Sequence, residues 1–260
     1  MSKKRSMKRI LVIGIGAGGA DLLTLQAIEA LNRAEVIFTF DKGTEKDDLV
    51  QLRREICERY RDARPYRLIG IPSPPRDASA PTYKAGVAAW HKERADNVGA
   101  LIRNEVPDGG SGAFLVWGDP AFYDSTLRIL DVLAAEGGET FQYEVIPGIS
   151  SIQLLAARHR IPLNAIGEPV LLTTGRKLAE AFPVGADSVV VLLDNGAGLQ
   201  SLAGREGEIF WGAYLGTPDE VLVSGRIADV LDEILEVRRT RRAAKGWIMD
   251  TYLIRSGRRG

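Results

Sequence analysis

The chain has 260 residues, 45% of them hydrophobic, which is enough for one large domain or two smaller ones with their own cores. Lysine plus arginine and aspartate plus glutamate both number 34, and this zero net charge argues against nucleic acid as the main partner. No apolar run approaches the roughly 20 residues of a membrane span, so no membrane association is expected. The single cysteine, Cys57, excludes an internal disulfide framework and fits a reducing cytoplasm, and without a cysteine and histidine cluster no metal site is expected.

Strands and helices alternate along the first half of the chain. Three apolar runs predict buried strands, at residues 9–13, 36–40 and 113–117. Helical spacing predicts three helices, at residues 24–31, 48–60 and 83–106. Residues 69–72 are interpreted as the start of a turn-rich loop. Because parallel strands joined by helices form a sheet covered on both faces, the fold class is expected to be α/β.

The second half is richer in strands. Apolar runs predict strands at residues 143–146, 170–174, 188–193, 209–214, 221–223 and 247–254. Helices are expected at residues 127–135, 149–159 and 227–237, and because few helices separate the strands, the sheet is expected to be mixed. The basic run Arg238–Arg242 is interpreted as a solvated helix end and loop. His159 ends a predicted helix, where a cation is favourable.

A junction between two domains is expected near residues 118–121, where a strand ends in a Gly-Asp-Pro turn. This places an N-terminal α/β domain at residues 8–120 and a C-terminal α/β domain at residues 121–256. No long linker marks the junction, so the two domains are expected to share a cleft.

A glycine turn follows the first predicted strand. Its pattern, Gly14-x-Gly16-x-x-Gly19, satisfies the dinucleotide-binding fingerprint, and Asp41 lies where a ribose-binding acid would be expected. A glycine-rich turn without a ligand is an alternative. The residues directly after the glycines, Leu22-Leu23-Thr24-Leu25, indicate a different ligand from a dinucleotide.

Two more segments follow apolar strands, at the carboxyl edge where open α/β sheets bind ligands. In the first, Gly118 allows close backbone approach, Pro120 fixes the turn, and the Asp119 carboxylate is expected to accept from the amide of Phe122 or Tyr123. In the second, Ser150 and Ser151 open a helix and offer hydroxyl groups to a polar ligand. An ordinary Asp-Pro turn and ordinary helix capping are the alternatives.

Taken in order, these segments resemble those of the tetrapyrrole methyltransferase family, the corrin and porphyrin methylases. The family pattern GxGPGDxxLLTxxA corresponds to residues 14–27, GDPxxY to 118–123, VPGISS to 146–151 and a GTxxQ-like segment to 216–220. Ala17 and Gly19 replace the family proline and aspartate, and Leu193–Asp194 stands where the family often has a methionine. The resemblance implies a two-domain α/β fold with a mainly parallel N-terminal sheet, a mixed C-terminal sheet and the active-site cleft between them.

The resemblance also implies the ligands. S-adenosylmethionine is the expected methyl donor, and the residues implied to bind it are Gly118, Asp119, Pro120, Tyr123, Ser150, Ser151, Leu193, Asp194 and Gly216. A precorrin is the expected substrate, with Gly16, Ala17, Gly18, Gly19, Lys42 and Arg176 on its side of the site. Asp41 is the first candidate for a catalytic base. Asp41, Asp21 and Tyr123, in that order, are the candidates for activating the water that a deacetylating reaction consumes. A homodimer is implied by the family.

Within the family, the chain is most like the branch that methylates C1 of precorrin-5 and releases acetate, in cobalamin biosynthesis. Methylation at C11, C17 or C20 of a related precorrin is an alternative. A related methylase acting on ribosomal RNA or diphthamide is a further one, and an NAD-dependent oxidoreductase built on the glycine turn and Asp41 is the alternative from another class.

Overall fold

A computed structural model describes residues 6–40, 47–71, 83–135 and 141–256. These residues form two compact units. The first contains the chain up to Gly16 and again from Ala20 to Ile149, and the second contains Ala17–Gly19 and the chain from Ser150 onward. No helix in these four ranges is both long enough and apolar enough to cross a membrane.

The first unit is built on a five-stranded sheet in which every pair of neighbours is parallel. Its strands are β1 (Lys8–Gly14), β2 (Val36–Phe40), β3 (Arg67–Ile71), β4 (Ser111–Val116) and β5 (Phe141–Ile146), in the spatial order β3-β2-β4-β1-β5. Its helices are α1 (Leu25–Arg33), α2 (Asp47–Tyr60), α3 (Tyr83–Glu105) and α4 (Thr126–Ala135). The predicted parallel α/β sheet is confirmed.

Strand β1 lies between two apolar cores. Leu11 and Ile13 pack with residues of α1 and α2, whereas Ile10 and Val12 pack with residues of α3 and α4. Successive side chains of a strand point to opposite faces, so a continuous apolar run is what a strand covered on both faces requires. Packing on both faces fixes the position of the carboxyl end of β1 in the sheet, and the glycine turn begins there.

Two expectations for the first unit need correction. Residues 67–71 form strand β3 rather than the start of a loop, and the sequence hides it because an edge strand pairs on one side and keeps most of its residues exposed. The expected domain boundary at residues 120 and 121 moves to residues 149 and 150, because β5 pairs along β1 and α4 packs on the same sheet.

The second unit contains a mixed five-stranded sheet, as predicted. Its strands are β6 (Val170–Thr174), β7 (Ser188–Leu192), β8 (Glu208–Ala213), β9 (Val221–Arg226) and β10 (Asp250–Arg255), in the order β6-β7-β10-β8-β9. Only the β6–β7 pair is parallel. The helices are α5 (Ser151–His159), α6 (Gly175–Glu180), α7 (Ala197–Gln200) and α8 (Ile227–Lys245).

Helix α8 corrects part of the interpretation of the basic run, because residues 239–242 are exposed as expected but are helical. The helix continues through Arg238–Arg242 to Lys245 and ends at Gly246, whose φ of 77° favours glycine. Arg238 is buried, and its Nε donates to Asp250 Oδ2 at 2.9 Å. A carboxylate from β10 therefore neutralises the first arginine of the run, and no local pattern could reveal that partner.

Candidate active site

Three glycines from the predicted motifs meet at the carboxyl edge of the first sheet. A Cβ added to Gly14 would lie 2.5 Å from the Gly148 nitrogen and 2.9 Å from the Gly118 oxygen, and a Cβ on Gly148 would overlap the Gly118 oxygen. Gly16 and Gly118 also exchange two backbone hydrogen bonds, of 3.2 and 2.8 Å. The three segments after β1, β4 and β5 thus lie together. Their backbones are so close that a side chain at Gly14 or Gly148 would overlap a neighbouring segment.

Asp119 joins two of these segments. Its Oδ1 accepts from the Ala121 amide at 2.7 Å and its Oδ2 accepts from the Gly148 amide at 2.9 Å. The expected partners, the amides of Phe122 and Tyr123, are therefore not the ones that the side chain uses. The Asp119 backbone carbonyl accepts from Phe122 instead, at 3.2 Å. The carboxylate fixes the turn after β4 against the turn after β5.

The tip of the first glycine turn belongs to the second unit. Gly18 lies against the segment after β8, where an added Cβ would overlap the Leu215 carbonyl oxygen and lie 2.9 Å from Thr217 Cγ2. Gly16 has a φ of 83°, and Ala17 is buried. Asp21 lies on the exposed surface of a single 3-10 turn, Ala20–Leu22.

Unusual backbone conformations concentrate at the predicted segments. Four non-glycine residues of the described chain have positive φ, and three of them are Tyr123, Leu193 and Tyr214, at 55°, 52° and 50°. Tyr123 ends the GDPxxY segment, Leu193 follows β7, and Tyr214 stands two residues before Gly216. Left-handed backbone costs roughly 1–3 kcal/mol for such residues and clusters at functional sites.

Two of the residues with left-handed backbone also have exposed side chains. Tyr123 is 48% exposed and Leu193 is 65% exposed, although both are large and largely apolar. Neither conformation is explained by burial of the side chain it carries. Each of the two residues therefore leaves a large side chain accessible at a backbone conformation that is unfavourable for it.

The two serines of the third segment are already engaged. The Ser150 hydroxyl caps α5 and forms a capping box with Gln153, whose Oε1 also accepts from the Ser150 amide at 2.7 Å. Ser151 Oγ accepts from the hydroxyl of Thr251 at 3.1 Å. Helix capping, the alternative that the sequence left open, is what the Ser150 side chain does.

Asp194 and Gly216 are held by groups that the sequence did not single out. The Asp194 carboxylate is buried and accepts from the hydroxyl of Tyr252 at 2.8 Å. The Gly216 amide donates to Glu220 Oε2 at 2.7 Å, and Glu220 also pairs with Arg158 at 2.8 Å. Tyr252 lies 58 residues from Asp194 in the chain, so no motif pattern identifies it. Glu220, by contrast, is the last residue of the motif segment at residues 216–220, and only its hydrogen bond to Gly216 was not predicted.

The predicted substrate-side residues are only partly placed. Arg176 is exposed on α6 and pairs with Glu180 at 2.8 Å, in an i,i+4 pair of the kind that contributes little to stability. Asp41, the first candidate base, and Lys42 lie outside the described residues. Of the two candidate catalytic groups that the structure describes, Tyr123 has a left-handed backbone and Asp21 does not.

Comparison with known proteins gives the relatives of the chain. The family of Tetrapyrrole (Corrin/Porphyrin) Methylases matches residues 9–231. A protein of Sinorhizobium sp named Precorrin-6A synthase [deacetylating] is 49% identical over 251 residues, which cover 96% of each chain.

Solved structures agree on the fold. The structure of CobF, a cobalamin synthesis related protein of Corynebacterium diphtheriae, has a TM-score of 0.83 and 39% identity, over 96% of this chain and 99% of that chain. Uroporphyrin-III C-methyl transferase of Thermus thermophilus, complexed with S-adenyl homocysteine, has a TM-score of 0.59 and 20% identity, over 95% and 91%. The second likeness bears on the fold alone.

These relatives do not favour the dinucleotide-binding interpretation of the glycine turn, and the meeting of three separate motif segments is not what that interpretation needs. The chain belongs to the family of tetrapyrrole (corrin/porphyrin) methylases.

Proposed function

We propose that this protein is the S-adenosylmethionine-dependent C-methyltransferase that converts precorrin-5 to precorrin-6A in cobalamin biosynthesis. The observation that carries the proposal is the 49% identity, over 96% of both chains, to a relative named Precorrin-6A synthase [deacetylating]. The CobF likeness at 39% identity supports the same assignment. We further propose a cytoplasmic homodimer.

The reaction needs two changes at the substrate. The nucleophilic ring carbon C1 attacks the sulfonium methyl group, so a carbon–carbon bond forms as the carbon–sulfur bond breaks and S-adenosylhomocysteine leaves. Water then adds to the carbonyl carbon of the acetyl group, the bond from that carbon to the ring breaks with its electron pair left on the macrocycle, and acetate leaves with the water oxygen as its second carboxylate oxygen. Because the methyl donor is already activated, the protein contributes mainly position and orientation.

The methyl donor is proposed to lie against the segments with strained backbone. Tyr123 and Leu193 would pack on its apolar parts, since both side chains are exposed. Backbone groups of Gly118, Pro120 and Gly216 would line its polar parts, because the two glycines have no side chain that would keep the ligand from the backbone. Asp119, Ser150 and Asp194 would shape this site through the backbone contacts that their side chains make.

The precorrin is proposed to lie on the side of the glycine turn, Gly16–Gly19. Its carboxylates would pair with basic groups such as Arg176 and Lys42. Asp41 is the proposed base that removes the ring proton, and Asp41, Asp21 and Tyr123 are the candidates for activating the water that releases acetate. Asp41→Asn would separate catalysis from binding of the methyl donor. The variant should lose turnover because it lacks the base, and it should still bind S-adenosylhomocysteine.

The test is a mass-spectrometric assay of the purified protein with S-adenosylmethionine and enzymatically made precorrin-5. We expect a product that has gained a methyl group and lost an acetyl group, with one acetate released per S-adenosylhomocysteine. Methyl gain without acetate, on precorrin-5 or another intermediate, would keep the family and refute this position of methylation. No turnover, with no binding of S-adenosylhomocysteine in calorimetry, would refute the methyltransferase proposal.

A further inference from the structure

The carboxylate of Asp194 occupies a closed polar socket. Its Oδ1 accepts from the amides of Gly196 and Gly198, at 2.9 and 3.0 Å. Its Oδ2 accepts from the Leu199 amide at 2.9 Å and from the Tyr252 hydroxyl at 2.8 Å. With four donors, the hydrogen-bonding capacity of the buried carboxylate is fully satisfied.

Two glycines make room for this socket. A Cβ on Gly175 would overlap the Asp194 carboxylate, and a Cβ on Gly198 would lie 2.9 Å from Asp194 Oδ2 and 2.7 Å from the Tyr252 hydroxyl. Any larger residue at either position would displace the carboxylate. The socket is therefore specified by α6, α7 and β10 together, well beyond what capping of the four-residue helix α7 needs.

The backbone of Asp194 is held as firmly as its side chain. Arg238 Nη2 donates to the Asp194 carbonyl at 2.6 Å, and its Nε donates to Asp250 Oδ2 at 2.9 Å. Trp211 Nε1 donates to the same Asp250 oxygen at 3.0 Å. This buried chain of charge-assisted hydrogen bonds ties the end of β7 to α8, β8 and β10.

These hydrogen bonds hold the backbone of the neighbouring residue, Leu193, in an unfavourable left-handed conformation. Leu193 directly precedes Asp194, has a φ of 52° and leaves 65% of its side chain exposed. An exposed leucine gains nothing from burial that could offset the strain, so the hydrogen bonds of Asp194 must hold the left-handed conformation. The orientation of Leu193 is thus set by its neighbour.

We propose that Asp194 is a positioning residue for the methyl donor, which holds Leu193 in its left-handed conformation so that the Leu193 side chain packs against the donor. Asp194 does not itself touch the donor, since its four acceptor positions are filled within the protein. The inference rests on the proposed function, because it assumes that Leu193 contacts S-adenosylmethionine.

The test measures the Kd of S-adenosylhomocysteine by calorimetry, so that it needs no turnover. Asp194→Asn keeps the size of the side chain but replaces an acceptor by a donor facing Leu199 or Tyr252, and Tyr252→Phe removes one hydrogen bond alone. We expect Asp194→Asn to raise the Kd at least tenfold and Tyr252→Phe to raise it less. Ile234→Ala, a change in the buried core of the same unit, is the control for lost stability and should leave the Kd unchanged.

A double variant decides whether Asp194 acts through Leu193. Leu193→Gly should also raise the Kd, and Asp194→Asn should then add no more than twofold in the Leu193→Gly background. The inference would be overturned if the fold-change in Kd of the double variant equalled the product of the fold-changes of Asp194→Asn and Leu193→Gly. It would also be overturned if the Kd rose as much in Ile234→Ala as in Asp194→Asn. If the unaltered protein binds S-adenosylhomocysteine and all variants bind equally, only this inference fails. If the unaltered protein does not bind it, the proposed function fails as well.

Discussion

The motif glycines show at the residue scale how a ligand-binding pattern can be required by packing. Gly14, Gly118 and Gly148 touch through their backbones, and Gly118 alone of the three has positive φ, at 70°. The contacts hold the three loop segments together at the carboxyl edge of the first sheet. A side chain at Gly14 or Gly148 would separate these segments even if it never touched the ligand.

We predict that Gly148→Ala destabilises the protein by about 1–3 kcal/mol, the usual range for overpacking, because the new methyl group overlaps backbone atoms that cannot move aside. Denaturant unfolding measures the change. Gly70→Ala is the matched control, since a Cβ there has no atom within 4 Å, and it should be neutral within about 0.5 kcal/mol. Equal stability of the two variants would show that the glycine contacts relax freely.

At the scale of one helix, His159 shows that packing can outweigh the preference for a cation at a helix C-terminus. Its position at the end of α5 predicts a favourable cation. Instead, the ring lies half-buried with its Nε2 donating to the Trp211 carbonyl at 3.0 Å. Burial lowers the pKa of His159, although the Trp211 carbonyl and Glu220 act in the opposite direction. The native state therefore favours the neutral ring.

This lowered pKa gives a pH dependence with a definite sign. The unfolded chain binds a proton to His159 as the pH falls through about 6.5, whereas the native state takes it up only at lower pH. The free energy of unfolding should thus fall from pH 7.5 to pH 5.5, and less steeply in His159→Gln, whose amide keeps a donor for Trp211. Urea titrations across this range measure both slopes, and a steeper slope in the variant would contradict the sign.

Helix α8 and strand β3 show why element boundaries escaped the sequence. The arginine run predicts a solvated end, yet Arg238 is buried against Asp250, twelve residues further along the chain. Strand β3 exposes most of its residues, so its apolar pattern is too weak to predict a strand. Both elements depend on partners that only the folded chain supplies, whereas β1 and β4 carry their buried pattern in their own residues.

At the scale of the whole molecule, Cys57 offers a measure of global opening. It is 2% exposed in the core between α1, α2 and the first sheet, and burial raises the pKa of its thiol. Reaction with a thiol reagent therefore requires the protein to open. As the single cysteine of the chain, it gives one unambiguous signal.

We predict that S-adenosylhomocysteine slows the labelling of Cys57. A ligand at 100 times its Kd stabilises the native state by about 2.7 kcal/mol, so labelling through global unfolding should slow about 100-fold. Labelling that is quenched at set times and followed by mass spectrometry measures the rate. NADH at the same concentration is the control and should leave the labelling rate unchanged. Slowing by NADH alone would revive the dinucleotide-binding alternative.

The sequence by itself determined the α/β class, the parallel and mixed sheets and the three motif segments that meet beside Gly118, because these features are written in local periodicity and in turn residues. The tertiary structure decided the boundary at residues 149 and 150, the course of α8 and the groups that hold Asp194 and Gly216. The boundary, the course of α8 and the contact of Asp194 with Tyr252 each depend on a hydrogen bond or strand pair between residues separated along the chain, which a local pattern does not show. The contact of Gly216 with Glu220 lies within one motif segment, but its geometry appears only in the folded chain.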